Sequence, residues 1–194
     1  MASHGPTLLH LALDSIDHGL VHYEPIGVRV SEMPARLQAP GACFVTLKRG
    51  GMLRGCMGSP SAVKPLGEDL AQNAFSAAFR DPRFPPLEAR ERADLTVSVS
   101  VLSQTEPIAS DSEAQLLDTL RPGVDGLIIS DGRCRALYLP AVWETLPEPT
   151  EFLHHLKRKA GMATDHWSTT MTAWRFTAAA VTLSPDGSVS GPAD

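Results

Sequence analysis

The sequence has little of several things, and each shortage closes off a class of protein. Only 3 of its 194 residues are cysteine, without C-x-x-C spacing. That excludes a disulfide scaffold and fits free thiols in a reducing compartment. Acidic residues (22) outnumber basic ones (17), for a net charge of −5. The basic footprint of a nonspecific nucleic-acid binder is missing, so nucleic acid is not expected as a partner. No apolar run reaches membrane-spanning length, and no Lys or Arg precedes Arg29 to head a secretory signal. A cytoplasmic protein without membrane attachment is expected. The 7 histidines are scattered without metal-ligand spacing; His18 and His22 are four apart, but Gly19 reads as a helix stop between them. No phosphate-binding glycine loop, nucleophile elbow or dinucleotide fingerprint occurs, so no metal or cofactor is evident.

What is present is a chain of ordinary hydrophobic content, 43%, with 16 prolines and 15 glycines, which suits a compact fold with many turns. A short amphipathic helix is expected from Pro6 to Gly19, followed by an irregular stretch over 21–40. Residues 42–48 and 52–57, joined across Gly50-Gly51, read as a hairpin, 65–79 as a helix and 94–103 as an alternating, half-buried strand. The pattern then recurs. A capping-box helix opens at Ser110-Asp-Ser-Glu113, a second hairpin spans 126–139, Thr150 caps a helix ending at Gly161, and a last strand runs over 171–183. The expectation is an α+β fold with mostly antiparallel sheets, made of two strand-strand-helix-strand repeats, about 42–103 and 124–183, after an extra N-terminal helix. One domain over 1–183 would form two unequal lobes with an interlobe cleft, and 184–194 would be a flexible tail.

The chemistry concentrates at Leu53-Arg54-Gly55-Cys56-Met57-Gly58. Strand parity puts Arg54 and Cys56 on one face. Arginine beside cysteine favours the reactive thiolate, and glycine in a strand marks close approach of a ligand or another backbone. The competing reading is a small buried cysteine beside glycines that only ease packing. Cys43 reads as core, and Cys134 carries no assigned role. In Asp81-Pro-Arg-Phe-Pro-Pro86 the prolines hold Asp81, Arg83 and Phe84 in fixed relation, as a binding edge would need, or merely stop a helix. The basic stretch His154 to Lys159 reads as a solvated helix face, with Lys159 as a candidate for facing an anion.

Taken together, Phe44-Val-Thr-Leu47, Leu53 to Gly58, Phe79 to Leu87, Val97 to Leu102, Tyr138-Leu-Pro140 and Leu156 to Gly161 resemble, in order, the AMMECR-one family and its AmmeMemoRadiSam system protein A branch. The likeness covers about residues 6 to 182. It implies an antiparallel α+β fold of two structural repeats in unequal lobes. It also implies, as partners, a Memo-like protein related to extradiol dioxygenases and a radical-SAM protein. The family's Leu-Arg-Gly-Cys segment is matched by Leu53 to Cys56, with Met57 where Ile is usual, and its Arg-Phe-Pro-Pro motif by Arg83 to Pro86.

Three functions stand at this point. The first is an enzyme or enzyme subunit with Cys56 as nucleophile or carrier, and Arg54 activating it and holding a small anionic substrate. Gly55, Gly58, Asp81, Arg83 and Lys159 would be further binding candidates. The second is a noncatalytic partner-binding or scaffold module. The third, disfavoured by net charge, is RNA binding through Arg54, Arg83 and the Lys157 to Lys159 stretch.

Overall fold

The computed structural model describes residues 4–191. In chain order the helices are α1 (Gly5–His22), α2 (Ala35–Gln38), α3 (Leu66–Phe79), α4 (Glu113–Thr119) and α5 (Pro149–Lys159). The strands are β1 (Pro40–Gly41), β2 (Cys43–Arg49), β3 (Met52–Gly58), β4 (Lys64–Pro65), β5 (Leu95–Leu102), β6 (Glu106–Ile108), β7 (Gly126–Asp131), β8 (Cys134–Tyr138), β9 (Thr172–Phe176), β10 (Ala178–Leu183) and β11 (Val189–Ser190). The chain divides into two compact units, one running up to Leu102 and resuming at Ala179, the other spanning Ser103–Ala178. No helix among the described residues is long and apolar enough to cross a membrane.

In the first unit a sheet of order β11-β10-β5-β2-β3 is joined by antiparallel β2–β3 and β2–β5 ladders. Alternation decides its faces. Val45 and Leu47 on β2, and Val97 and Val99 on β5, are fully buried on one side, while Thr46, Ser98 and Ser100 lie on the other. Helix α3 packs on the buried face and α1 packs on α3. Because α3 lies between other elements, it is buried on nearly every side and rich in alanine, which permits close approach.

The second unit has the order β6-β9-β7-β8, with Leu127 and Ile129 of β7 packing against Phe152, Leu153 and Leu156 of α5. Each unit thus contains a hairpin, a helix and a strand that pairs with the hairpin's first strand: β5-β2-β3 in one, β9-β7-β8 in the other.

Several boundaries differ from the sequence reading. Helix α1 does not stop at Gly19 but continues to His22, since Gly19 is an interior residue whose missing side chain leaves room for the Phe79 ring. His18 and His22 therefore share a helix, with ring centroids 4.4 Å apart. The 21–40 stretch contains a 3-10 turn at Val30–Glu32 and helix α2. The cap of α4 is Ser112, whose hydroxyl accepts from the Gln115 amide, and α5 begins at Pro149 after Glu148 instead of at Thr150. The strand read over 171–183 is two strands, broken at Thr177 and divided between two sheets. Part of the expected tail forms strand β11 against Thr182 and Leu183; 192–194 lie outside the described residues.

Candidate functional site

The turn at Gly50-Gly51, with φ of +55° and +81°, is the two-residue type that side chains resist, and it fixes the hairpin register at Arg49↔Met52 and Lys48↔Leu53. From there the ladder slips: Leu47 pairs with Gly55 and Thr46 with Cys56, leaving Arg54 as the extra residue of a β-bulge. Without the bulge, Cys56 would oppose Val45 and point into the core. With it, Cys56 moves to the polar face beside Thr46, with Thr46 Oγ1 3.4 Å from its sulfur. Cys56 is partly exposed.

Strand β3 is the sheet edge, and the loop after α3 covers it. Asp81 Oδ2 accepts the Cys56 amide at 2.8 Å, and Arg83 Nη2 donates to the Cys56 carbonyl at 3.3 Å, together supplying what a neighbouring strand would. Asp81 is buried, its side chain only 2% exposed, and it accepts twice from the Arg83 side chain, Nε at 2.9 Å and Nη2 at 2.6 Å. Those bonds first, then the Cys56 and Arg83 amides, hold the Asp81 carboxyl at about 2 despite burial. Arg83 is raised in turn, first by Asp81 and then also by the Cys56 thiol. Its side chain stays 53% exposed.

Arg54 is turned away from the sulfur. Its Nε and Nη2 each donate to Glu91 at 2.9 Å, and Nη2 also reaches the Pro86 carbonyl. Glu91 also accepts the Glu88 amide, closing a capping box at the 3-10 turn Ala89–Asp94. The Arg54 bonds, first among several causes, bring the Glu91 carboxyl down to about 2. Arg54 thus forms a structural ion pair with Glu91 while its Nη1 is buried without a hydrogen-bond partner, and Arg83 is the guanidinium bonded to Cys56 itself, through the backbone carbonyl. A cavity of about 660 Å³ lined by Arg49, Met52, Leu53, Arg54, Glu91 and Pro185, among others, sits beside this pair; Cys56 does not line it.

The glycines have local explanations. A Cβ on Gly55 would collide with the Ala77 carbonyl of α3, so the close backbone approach is made by the protein's own helix. Gly58 leaves room for the Phe44 ring. Phe84 lies under both guanidinium groups, 5.5 Å from Arg83 and 6.0 Å from Arg54, measured to the ring centroid. Lys159 belongs to the second unit, where Nζ donates to the Leu137 carbonyl and sits 5.0 Å over the Tyr138 ring. Lys157, read as part of a solvated basic face, is fully buried: Nζ donates to Glu113 and to the Thr164 carbonyl.

Thr46 and Glu91 escaped the sequence reading. Cys43 is fully buried, with its amide and thiol on Asp69, and burial first, then Asp69, pushes its thiol well up. Cys134 is partly buried against the second unit's core. Among the described residues no group of three or more His, Cys, Asp or Glu side chains is placed to hold a metal ion.

The fold and the sequence both have known relatives. The AMMECR1 family profile matches residues 9–181, and the chain belongs to that family. A protein of Methanothermobacter thermautotrophicus is 39% identical over 166 residues, covering 83% of this chain and 84% of its own. One from Thermofilum pendens is 35% identical over 181 residues, covering 86% and 83%. The crystal structure of uncharacterized protein PH0010 from Pyrococcus horikoshii superposes with a TM-score of 0.90 at 33% identity, over 97% of this chain and 96% of that one.

Proposed function

We propose that this AMMECR1 protein is an enzyme, or a subunit of one, that works through the Cys56 thiol, with Arg83 holding a small anionic group of the substrate. The observation that carries the reading is the bulge at Arg54, which turns Cys56 out of the core and sets it beside Thr46. Bulges are over-represented at sheet edges and next to active sites, where they re-aim a side chain. Asp81 positions Arg83 and the strand together, while Gly55 and the Arg54–Glu91 pair anchor that strand. The sparse, unpaired cysteines suit a cytoplasmic setting, and the family resemblance adds a Memo-like protein and a radical-SAM protein as partners.

The test compares two alkylating reagents of similar size on the native protein, anionic iodoacetate and neutral iodoacetamide. Arg83 favours the anion, so the iodoacetate-to-iodoacetamide rate ratio is expected to be higher at Cys56 than at Cys134, and Arg83→Gln is expected to remove the excess. Equal ratios at both thiols would contradict the reading.

A second reading is a noncatalytic partner-binding module. It is favoured by one fact: among the described residues no histidine or carboxylate bonds to the Cys56 sulfur. Under it, Cys56→Ser would capture the Memo-like partner as well as the native protein does and would leave every function of the complex intact.

A further inference from the structure

The cavity beside the Arg54–Glu91 pair, about 660 Å³, has the volume of a small-molecule site. Its lining has two parts. Arg49, Arg54, Glu91 and Asp94 bring charge, and the exposed side chains of Met52 and Leu53 bring an apolar wall next to the hairpin turn.

The charged part holds more donors than acceptors. Glu91 is fully used: Oε1 accepts Arg54 Nε at 2.9 Å and Arg49 Nη1 at 3.5 Å, and Oε2 accepts Arg54 Nη2 and the Glu88 amide, both at 2.9 Å. Two guanidinium groups thus share one buried carboxylate. Asp94 gives Arg49 a second partner at 3.2 Å, but its side chain is 59% exposed and solvent screens it. Arg54 Nη1 remains, buried and without a hydrogen-bond partner among the described residues. The Phe84 ring, 6.0 Å from Arg54 Cζ, offers it no acceptor oxygen. A buried charged donor left unpaired in a native protein calls for an explanation. Because this donor is already shut off from water, it has no hydration to lose, and an acceptor brought by a ligand gains nearly the full strength of the bond.

We propose that this cavity binds a small carboxylic acid with an aliphatic body. The carboxylate supplies the acceptor that Arg54 Nη1 lacks and a second counter-charge for the two guanidinium groups. The aliphatic chain lies on Met52 and Leu53. Met52 is flexible and exposed, so it moves aside to admit the carboxylate. Asp94 competes with the ligand for Arg49. Cys56 does not line the cavity, so this site is independent of the thiol reading.

The test is calorimetric titration of the full-length protein with octanoate below its micelle concentration, beside 1-octanol as the neutral analogue. Octanoate is expected to saturate a single site and to bind at least about tenfold more tightly than octanol. Arg54→Lys keeps a cation on Glu91 and removes Nη1; it is expected to weaken octanoate about tenfold. Met52→Ser, at an exposed position, is expected to weaken both ligands alike. Asp94→Asn removes the competing carboxylate and is expected to tighten octanoate about threefold while leaving octanol unchanged, which a merely structural role would not do. Should Arg54→Lys fail to fold, the two exposed-site variants decide. No saturable octanoate binding to the native protein, equal affinity for octanol, or an octanoate affinity unmoved by Met52→Ser and Asp94→Asn would overturn the assignment. Alkylation of Cys56 tests the thiol reading separately, whichever way the titration falls.

Discussion

Thr46 and Cys56 face each other across the β2–β3 ladder, Oγ1 to Sγ 3.4 Å, because one extra residue, Arg54, is inserted between the turn and the cysteine. The same insertion points Gly55 at α3 and sends the Arg54 side chain to Glu91. Presentation of the thiol and anchoring of the strand are consequences of a single bulge.

The anchors make the fold sensitive to acid. Asp81 and Glu91 titrate at about 2 in the folded chain, against ordinary values of 3.8 and 4.5. Because both are depressed, the unfolded chain binds more protons in that interval, so their stabilisation is complete above about pH 5 and lost as pH falls toward 2. Glu91 contributes on the order of 2 kcal/mol, and Asp81, whose Arg83 partner is half in solvent, on the order of 1 kcal/mol. Thermal melts are expected to show a falling melting temperature below pH 5. Glu91→Gln should be less stable than the native chain at pH 7 and should show a weaker acid dependence.

Gly55→Ala is expected to destabilise by about 1–3 kcal/mol, because the added methyl meets a helix carbonyl and cannot be accommodated by a rotamer change. For a chain of this size, that lowers the melting temperature by roughly 3–10 °C. A melting temperature unchanged by Gly55→Ala would mean that α3 does not press on β3 as described.

Of the cations in the RNA reading, Arg54, Arg83 and Lys157 each carry a carboxylate partner, Glu91, Asp81 and Glu113, and the chain as a whole has a net charge of −5. A fluorescence titration with single-stranded RNA at physiological salt is expected to show weak binding at best. Lys157→Ala is expected to act on stability instead, by about 2–4 kcal/mol, since it takes from Glu113 its lysine partner, leaving only His154 beside it, and opens a void beside Thr164.

Much of the fold was legible. The alternation of 94–103, the two hairpins and the helix over 65–79 each carry a strong local signal, and the structure places them within one or two residues. The orientation of Cys56 was not legible, for a definite reason. Counting back from the Gly50-Gly51 turn pairs Thr46 with Gly55, and only the bulge moves it to Cys56. Nor could the partner of Arg54 be read, since Glu91 is 37 residues away and reaches it through the fold of the 81–94 loop. The buried state of Lys157 is likewise tertiary: its helix looks basic until α4 and the 163–167 segment close over it. The break of the last strand at Thr177 carries neither glycine nor proline, so no turn residue announces it.

The central claim is that the bulge presents Cys56 as the working thiol, and the order of alkylation of the three cysteines in the native protein tests it most directly. Limiting iodoacetamide at neutral pH, read by peptide mass spectrometry, is expected to label Cys56 first, Cys134 later and Cys43 only on unfolding, since burial and Asp69 hold its thiol protonated. Labelling of Cys134 while Cys56 stays silent in the folded protein would contradict the claim.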